Sequence, residues 1–144
     1  MSINFFIEDV EFKLKNKSIL KKWIKSTIES EKHSLDEINY IFCSDEYLLN
    51  INKQYLDHDY YTDIITFDNR EETEEPILSD IFISIDRIED NSKTQGTTFI
   101  QELHRVLIHG VLHLVGYSDK TDQEQAEMRK KEEACLSLLH VPTK

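Results

Sequence analysis

Three glycines in 144 residues leave this chain few places to turn at positive φ or to admit a ligand against bare backbone. They stand at 96, 110 and 116, so no Gly-rich loop can cradle a phosphate in the dinucleotide or P-loop manner. Collagen-like, elastic and linker-rich architectures are excluded on the same ground. Cysteine is equally scarce. Cys43 and Cys135 lie far apart and neither belongs to a C-x-x-C motif, which removes zinc ribbons and thioredoxin-like sites. Both sit in apolar segments, so two buried, reduced thiols are expected. Cations are outnumbered, 17 Lys and Arg against 28 Asp and Glu, for a net charge of -11. That balance argues against a protein that coats nucleic acid non-specifically, because such affinity comes from neutralising phosphates. No run approaches about 18 consecutive apolar residues, so no membrane span is expected. Met1 to Asp9 lacks the basic region and unbroken apolar core of a signal peptide. A cytoplasmic protein is the expectation.

What is present suffices for a core: 39% hydrophobic and 10% aromatic residues, which disfavours disorder. The length suits one domain over residues 1–144 that buries roughly 70% of its unfolded surface. Ile3, Phe5 and Ile7 read as a first strand, and Ile38 to Cys43 as a second. Ser18 is placed to cap a helix to about Ser30, with Ile19, Leu20, Trp23, Ile24 and Ile28 on one stripe. Ser44 with Asp45 and Glu46 caps another, to about Tyr55. Thr62 to Phe67 and Ile81 to Ile85 are short β-branched runs, separated by an acidic connection from Arg70 to Ser79. The rest reads as helix: Asp86 to Lys93, Thr98 to Val115, and a last one opened by the Thr121/Glu124 capping box and running to about Leu139. The expected fold is α+β, a mixed sheet of about four strands with several helices.

Chemistry concentrates in one window. His109 and His113 are four apart on a helical segment, which puts both imidazoles on one face, close enough to share a metal ion. Gly116 follows three residues later and Asp119 three after that. The helix alone would carry residue 119 away, but a glycine lets the chain turn back and offer a third ligand. Two imidazoles and a carboxylate leave one tetrahedral position for water, the pattern of a catalytic zinc. Gly110, mid-helix, costs about 1 kcal/mol in propensity, which suggests a close backbone or substrate approach. Glu102 is a candidate support for an imidazole or, alternatively, a surface partner of Arg105. The spacing also matches metzincin proteases, H-E-x-x-H-x-x-G-x-x-H, but the general-base Glu is Gly110 here, which disfavours peptide hydrolysis.

The window His109-Gly110-Val111-Leu112-His113-Leu114-Val115-Gly116-Tyr117-Ser118-Asp119 resembles H-G-x-L-H-L-x-G-Y-D-H of the YbeY family of bacterial rRNA-maturation endoribonucleases. Leu49 through Tyr55 with Tyr61-Thr62-Asp63-Ile64-Ile65-Thr66-Phe67 is similar to its L-N-x-x-Y-R…P-T-D-V-L-S-F. Ser79-Asp80-Ile81-Phe82-Ile83-Ser84 is similar to G-D-I-x-I-S, and Met128 falls in the following helix as in the family. The likeness runs from about residue 36 to 135. Three departures stand out: Asp119 replaces the third His, Ser79 a glycine, and Leu56 an arginine thought to contact substrate phosphate. Lys53, His58 or Arg70 could fill the last role.

The resemblance implies a zinc-dependent endoribonuclease preferring single strands, active in 16S rRNA 3′-end maturation and ribosome quality control. It would hold one Zn²⁺ per chain on His109, His113 and Asp119, with metal-bound water as the reactive group and no side chain singled out as acid or base. The implied partners are ribosomal RNA and the small ribosomal subunit, with no membrane and no DNA. Lys21, Lys22, Lys25 and Lys53 are candidate RNA contacts. Lys13 to Lys25 carries no acid, so its lysines form either a solvated face or a phosphate-binding one. Two alternatives remain open from sequence: a small zinc hydrolase of peptides or small molecules, and a non-catalytic assembly factor with a structural metal.

Overall fold

The computed structural model describes residues 1–142. Its elements run β1 (Ser2–Ile7), α1 (Lys17–Ser30), β2 (Leu35–Cys43), α2 (Asp45–Leu56), β3 (Ile64–Asp68), β4 (Ile77–Ser84), α3 (Ile85–Gln95), α4 (Phe99–Leu114) and α5 (Asp122–Ser137). The four strands form one mixed sheet in the order β1-β2-β4-β3. β1, β2 and β4 are parallel, and β3 joins the β4 edge antiparallel. The α+β expectation therefore holds. None of the helices is long and apolar enough to cross a membrane, among the described residues.

The two faces of the sheet are covered differently because side chains alternate along each strand. Ile38, Tyr40 and Phe42 of β2 and Ile77, Ile81 and Ile83 of β4 join the main core with α1, α3, α4 and α5. Phe82, Ile65 and Phe67 point the other way into a smaller cluster under α2, with Leu48 and Ile51. Beyond α2 that second face carries half-exposed Phe6 beside Ile41 and a row of polar residues. Asn4, Asn39 and Asp80 sit side by side on β1, β2 and β4 and are joined by hydrogen bonds of 3.0 and 3.1 Å.

Two long-range bonds fix the helices that matter for the site. The buried hydroxyl of Tyr40, on β2, donates to the Leu107 carbonyl of α4 at 3.0 Å. Trp23 of α1 donates its indole N–H to the Cys135 carbonyl of α5 at 2.8 Å. Capping boxes at Thr98/Gln101 and Thr121/Glu124 open α4 and α5, the second as read from sequence.

Local boundaries differ in instructive ways. Ser18 is not a cap: α1 already starts at Lys17, and the preceding Asn16 is left-handed with no side-chain capping bond. The supposed connection before β4 is partly strand, since Ile77, Leu78 and Ser79 pair with β2 and β3. Both cysteines are free and buried, and burial pushes the Cys43 thiol up to about 12.

Candidate metal centre

Helix α4 crosses the main-core face of the sheet, and Gly110 is where it comes closest. A Cβ there would lie 3.1 Å from the Ile64 Cδ1, 3.2 Å from the Ile81 Cδ1 and 3.2 Å from the Thr66 Oγ1. The mid-helix glycine is thus explained by packing against β3 and β4. That approach leaves the neighbouring positions His109 and His113 facing sideways, between the sheet edge and α5.

Gly116 adopts φ 108 after the last turn, as its position past the helix end requires. The chain turns back and delivers Asp119. Its Oδ2 lies 3.4 Å from His109 Nε2 and 3.5 Å from His113 Nε2, and the two imidazole nitrogens are 3.1 Å apart. Ligand atoms about 2.0–2.1 Å from a tetrahedral zinc stand about 3.3 Å from one another, so this triangle fits the ion. His109, His113 and Asp119 are the group of metal-ligating side chains found close together among the described residues. Side-chain exposures of 33% for His113 and 39% for Asp119, against 16% for His109, leave the solvent side of the triangle open. A closed structural site would lack that opening.

The support for His109 comes from α5. Its Nδ1 donates to Glu132 Oε2 at 2.6 Å, which leaves Nε2 with a lone pair directed at the triangle. Glu132 is 2% exposed and shares its other oxygen with Arg105 Nη1 at 3.1 Å; Arg105 in turn holds buried Glu102. Burial alone would raise the Glu132 carboxyl, but the His109 hydrogen bond and the Arg105 charge outweigh it and hold it below the ordinary range. Burial likewise drives His113 below the usual histidine range, with the neighbouring imidazole adding to the effect. Burial thereby favours, for His113, the neutral form that a metal requires. Glu102 proves to be the partner of Arg105, as its alternative reading had it, and is buried.

Glu132 was not signalled by the histidine motif. Its clue lay in α5 itself, where it falls between Met128 and Cys135 on the buried stripe, an acid at a core position. Asp63, just before β3, is a second, partly buried acid near this helix. Burial raises its carboxyl, only partly opposed by His109 and Arg105.

The candidate cations fall elsewhere. Lys53 lies on α2, on the opposite face of the sheet from α4, paired with Asp59 at 3.4 Å. His58 stacks on Tyr60 and bonds its hydroxyl at 2.9 Å. Arg70 is near the site but held by both Asp68 oxygens and two carbonyls. Lys21, Lys22 and Lys25 of α1 border the start of β1 and make no ion pair among the described residues.

Comparison with known proteins converges on this geometry. The sequence model of the family Endoribonuclease YbeY matches residues 2–140, extending the likeness well beyond the motifs. The Endoribonuclease YbeY of Cytophaga hutchinsonii is 56% identical over 137 residues, 95% of this chain and 95% of its own. That of Christiangramia forsetii is 48% identical over 139 residues, 96% of this chain and 95% of its own. The solution structure of TM1509 from Thermotoga maritima superposes with a TM-score of 0.65 at 27% identity, over 94% of this chain and 87% of that one. Fold, motif and overall sequence agree, and the chain belongs to the endoribonuclease YbeY family.

Proposed function

We propose that this protein is a zinc-dependent endoribonuclease that cuts single-stranded RNA, acting in 16S rRNA 3′-end maturation and ribosome quality control in the cytoplasm. The observation that carries the reading is the triangle of His109, His113 and Asp119, open on one side, in a chain of this family. Zinc held there would polarise a phosphoryl oxygen and acidify a bound water. The chain's own residues prepare for it. Glu132 keeps the His109 proton on Nδ1, burial keeps His113 neutral, and the Gly116 turn presents the Asp119 carboxylate. A cavity of about 470 Å³ opens beside His113, bordered by His33, Arg70 and Gly116, and offers a strand a way in.

Lys21, Lys22 and Lys25, without ion pairs among the described residues, are the proposed phosphate contacts, with Lys53 a further one on the far face. So acidic a chain gains little from non-specific attraction, so affinity is expected to come from the small ribosomal subunit. The test is cleavage of a single-stranded RNA by wild type and His113→Ala protein purified identically, with zinc content measured in both. Cleavage lost together with zinc supports the reading. Equal cleavage by the variant identifies a contaminating ribonuclease and removes it.

A further inference from the structure

The last turn of any α-helix leaves carbonyl oxygens without intrahelical partners. In α4 most of them find backbone donors: Val111 takes Val115 N–H at 3.1 Å, Leu112 takes Tyr117 N–H at 2.9 Å, and His113 takes Gly116 N–H at 3.1 Å. Leu114 is served differently. Its carbonyl accepts from Arg70 Nη2 at 2.7 Å, an arginine 44 residues earlier in the chain.

Arg70 is unusual for a residue in an acidic surface connection, because its side chain is only 2% exposed. Nε and Nη2 grip the two Asp68 oxygens at 2.9 and 2.7 Å, and Nη1 donates to the Thr73 carbonyl at 3.0 Å. One guanidinium thus ties the end of β3, the β3–β4 connection and the final carbonyl of the metal-bearing helix. Burying such a cation is unfavourable unless its charge and donors are met, and here Asp68 meets the charge and four of the five N–H groups have acceptors. Its reach to Leu114 is the one bond that leaves the hairpin.

That bond sits at a sensitive place. His113 is the residue before Leu114, and the turn that begins after Leu114 ends at Asp119. Asp119 belongs to no helix or strand, so its distance to the imidazoles is set by how this turn leaves α4. From the other side the turn is held by Tyr117, whose hydroxyl donates to Glu31 at 3.1 Å, and Glu31 is paired with Lys131 at 2.8 Å.

We propose that Arg70 is a positioning residue for the metal centre, fixing the exit of α4 and through it the placement of Asp119 against His109 and His113. The inference rests on reading those three residues as metal ligands. Arg70 acts on the third ligand and leaves the two imidazoles to Glu132 and the helix. Its loss and the loss of Asp119 should therefore damage the same contribution to binding.

The experiment is zinc affinity of the metal-stripped protein by chelator competition, for wild type, Arg70→Met, Asp119→Ala and the double variant, with thermal unfolding alongside. Arg70→Met is expected to weaken zinc binding about 10-fold or more. The double variant should bind within about twofold of Asp119→Ala, because the same contribution is lost only once. Arg70→Lys keeps the cation beside Asp68 without the fork, and should weaken zinc binding in the same direction even if Arg70→Met does not fold. The proposal is overturned by unfolding at lower temperature with zinc affinity unchanged in the folded Arg70 variants. It is equally overturned if the two losses multiply. Full zinc affinity in both Asp119→Ala and His109→Ala would instead overturn the ligand assignment, and this inference with it.

Discussion

Glu132 and His109 meet at 2.6 Å, carboxylate to Nδ1, across the junction of α5 and α4. The pair couples the final helix to the one that carries His109 and His113 and decides which His109 nitrogen is free. Replacing Glu132 by Gln keeps the shape and weakens the acceptor. Zinc affinity of Glu132→Gln is expected to fall about 10- to 100-fold, with the far-ultraviolet circular dichroism unchanged. An affinity equal to wild type would mean that His109 needs no such support.

Gly110→Ala sets helix propensity against packing. Alanine gains about 1 kcal/mol as a helix former, while three side-chain atoms at 3.1–3.2 Å must give way together. Overpacking of this kind costs about 1–3 kcal/mol, so a net loss of about 1 kcal/mol in unfolding free energy is expected by urea denaturation. Ile64→Val removes the closest of those atoms and should restore part of the loss. A more stable Gly110→Ala protein would show that β3 yields freely.

Asp63 bears on the pH profile. Its carboxyl is raised in the folded state, so the fold holds this proton more tightly than the unfolded chain does. The contribution is absent at low pH, where both states are protonated. It becomes a penalty as pH rises through the unfolded value and is complete above the folded one. Asp63→Asn should therefore raise the thermal midpoint at pH 7 and leave it unchanged near pH 3. A destabilised variant at pH 7 would assign the carboxylate a favourable role that its burial does not suggest.

The lysines of α1 are tested by salt. If Lys21, Lys22 and Lys25 each neutralise a phosphate, their replacement by Gln should flatten the slope of log affinity for single-stranded RNA against log salt by about 2. An unchanged slope would make this face merely solvated. Metal content should be equal in both proteins, since none of the three belongs to the His109, His113 and Asp119 group.

Residues close in sequence made the site readable, and residues distant in sequence hid the rest of it. His109 and His113 announce themselves by a four-residue spacing, and Gly116 and Asp119 follow within a single turn. The same locality explains why the capping box at Thr121/Glu124 and the α2 cap at Ser44 were recoverable. Glu132 escaped because nothing local tells an acid on a buried stripe what it faces. Arg70 had the right chemistry for a phosphate contact, and only tertiary structure reveals that its donors are already taken. Ser18 illustrates the converse, a good capping residue passed over because the chain enters α1 two residues earlier through left-handed Asn16. The strand order was not readable at all, since alternation reports which face is buried and not which neighbour lies alongside.

The mixed sheet has a consequence for how the site comes to exist. Its parallel pairs join residues 35 and 41 positions apart, as at Asn4–Asn39 and Asn39–Asp80. His109 and Glu132 are separated by only 23. Loop-closure entropy and folding rate both favour the shorter separation, so the α4–α5 pairing, like the β3–β4 hairpin, is a local contact in an otherwise non-local fold. A metal ion held by His109, His113 and Asp119 would favour the native arrangement and add its own mass action to the whole chain's stability. On the proposed zinc-dependent reading, the concentration of free metal would be a folding variable as well as a catalytic one, and stripping it should slow refolding less than it hastens unfolding.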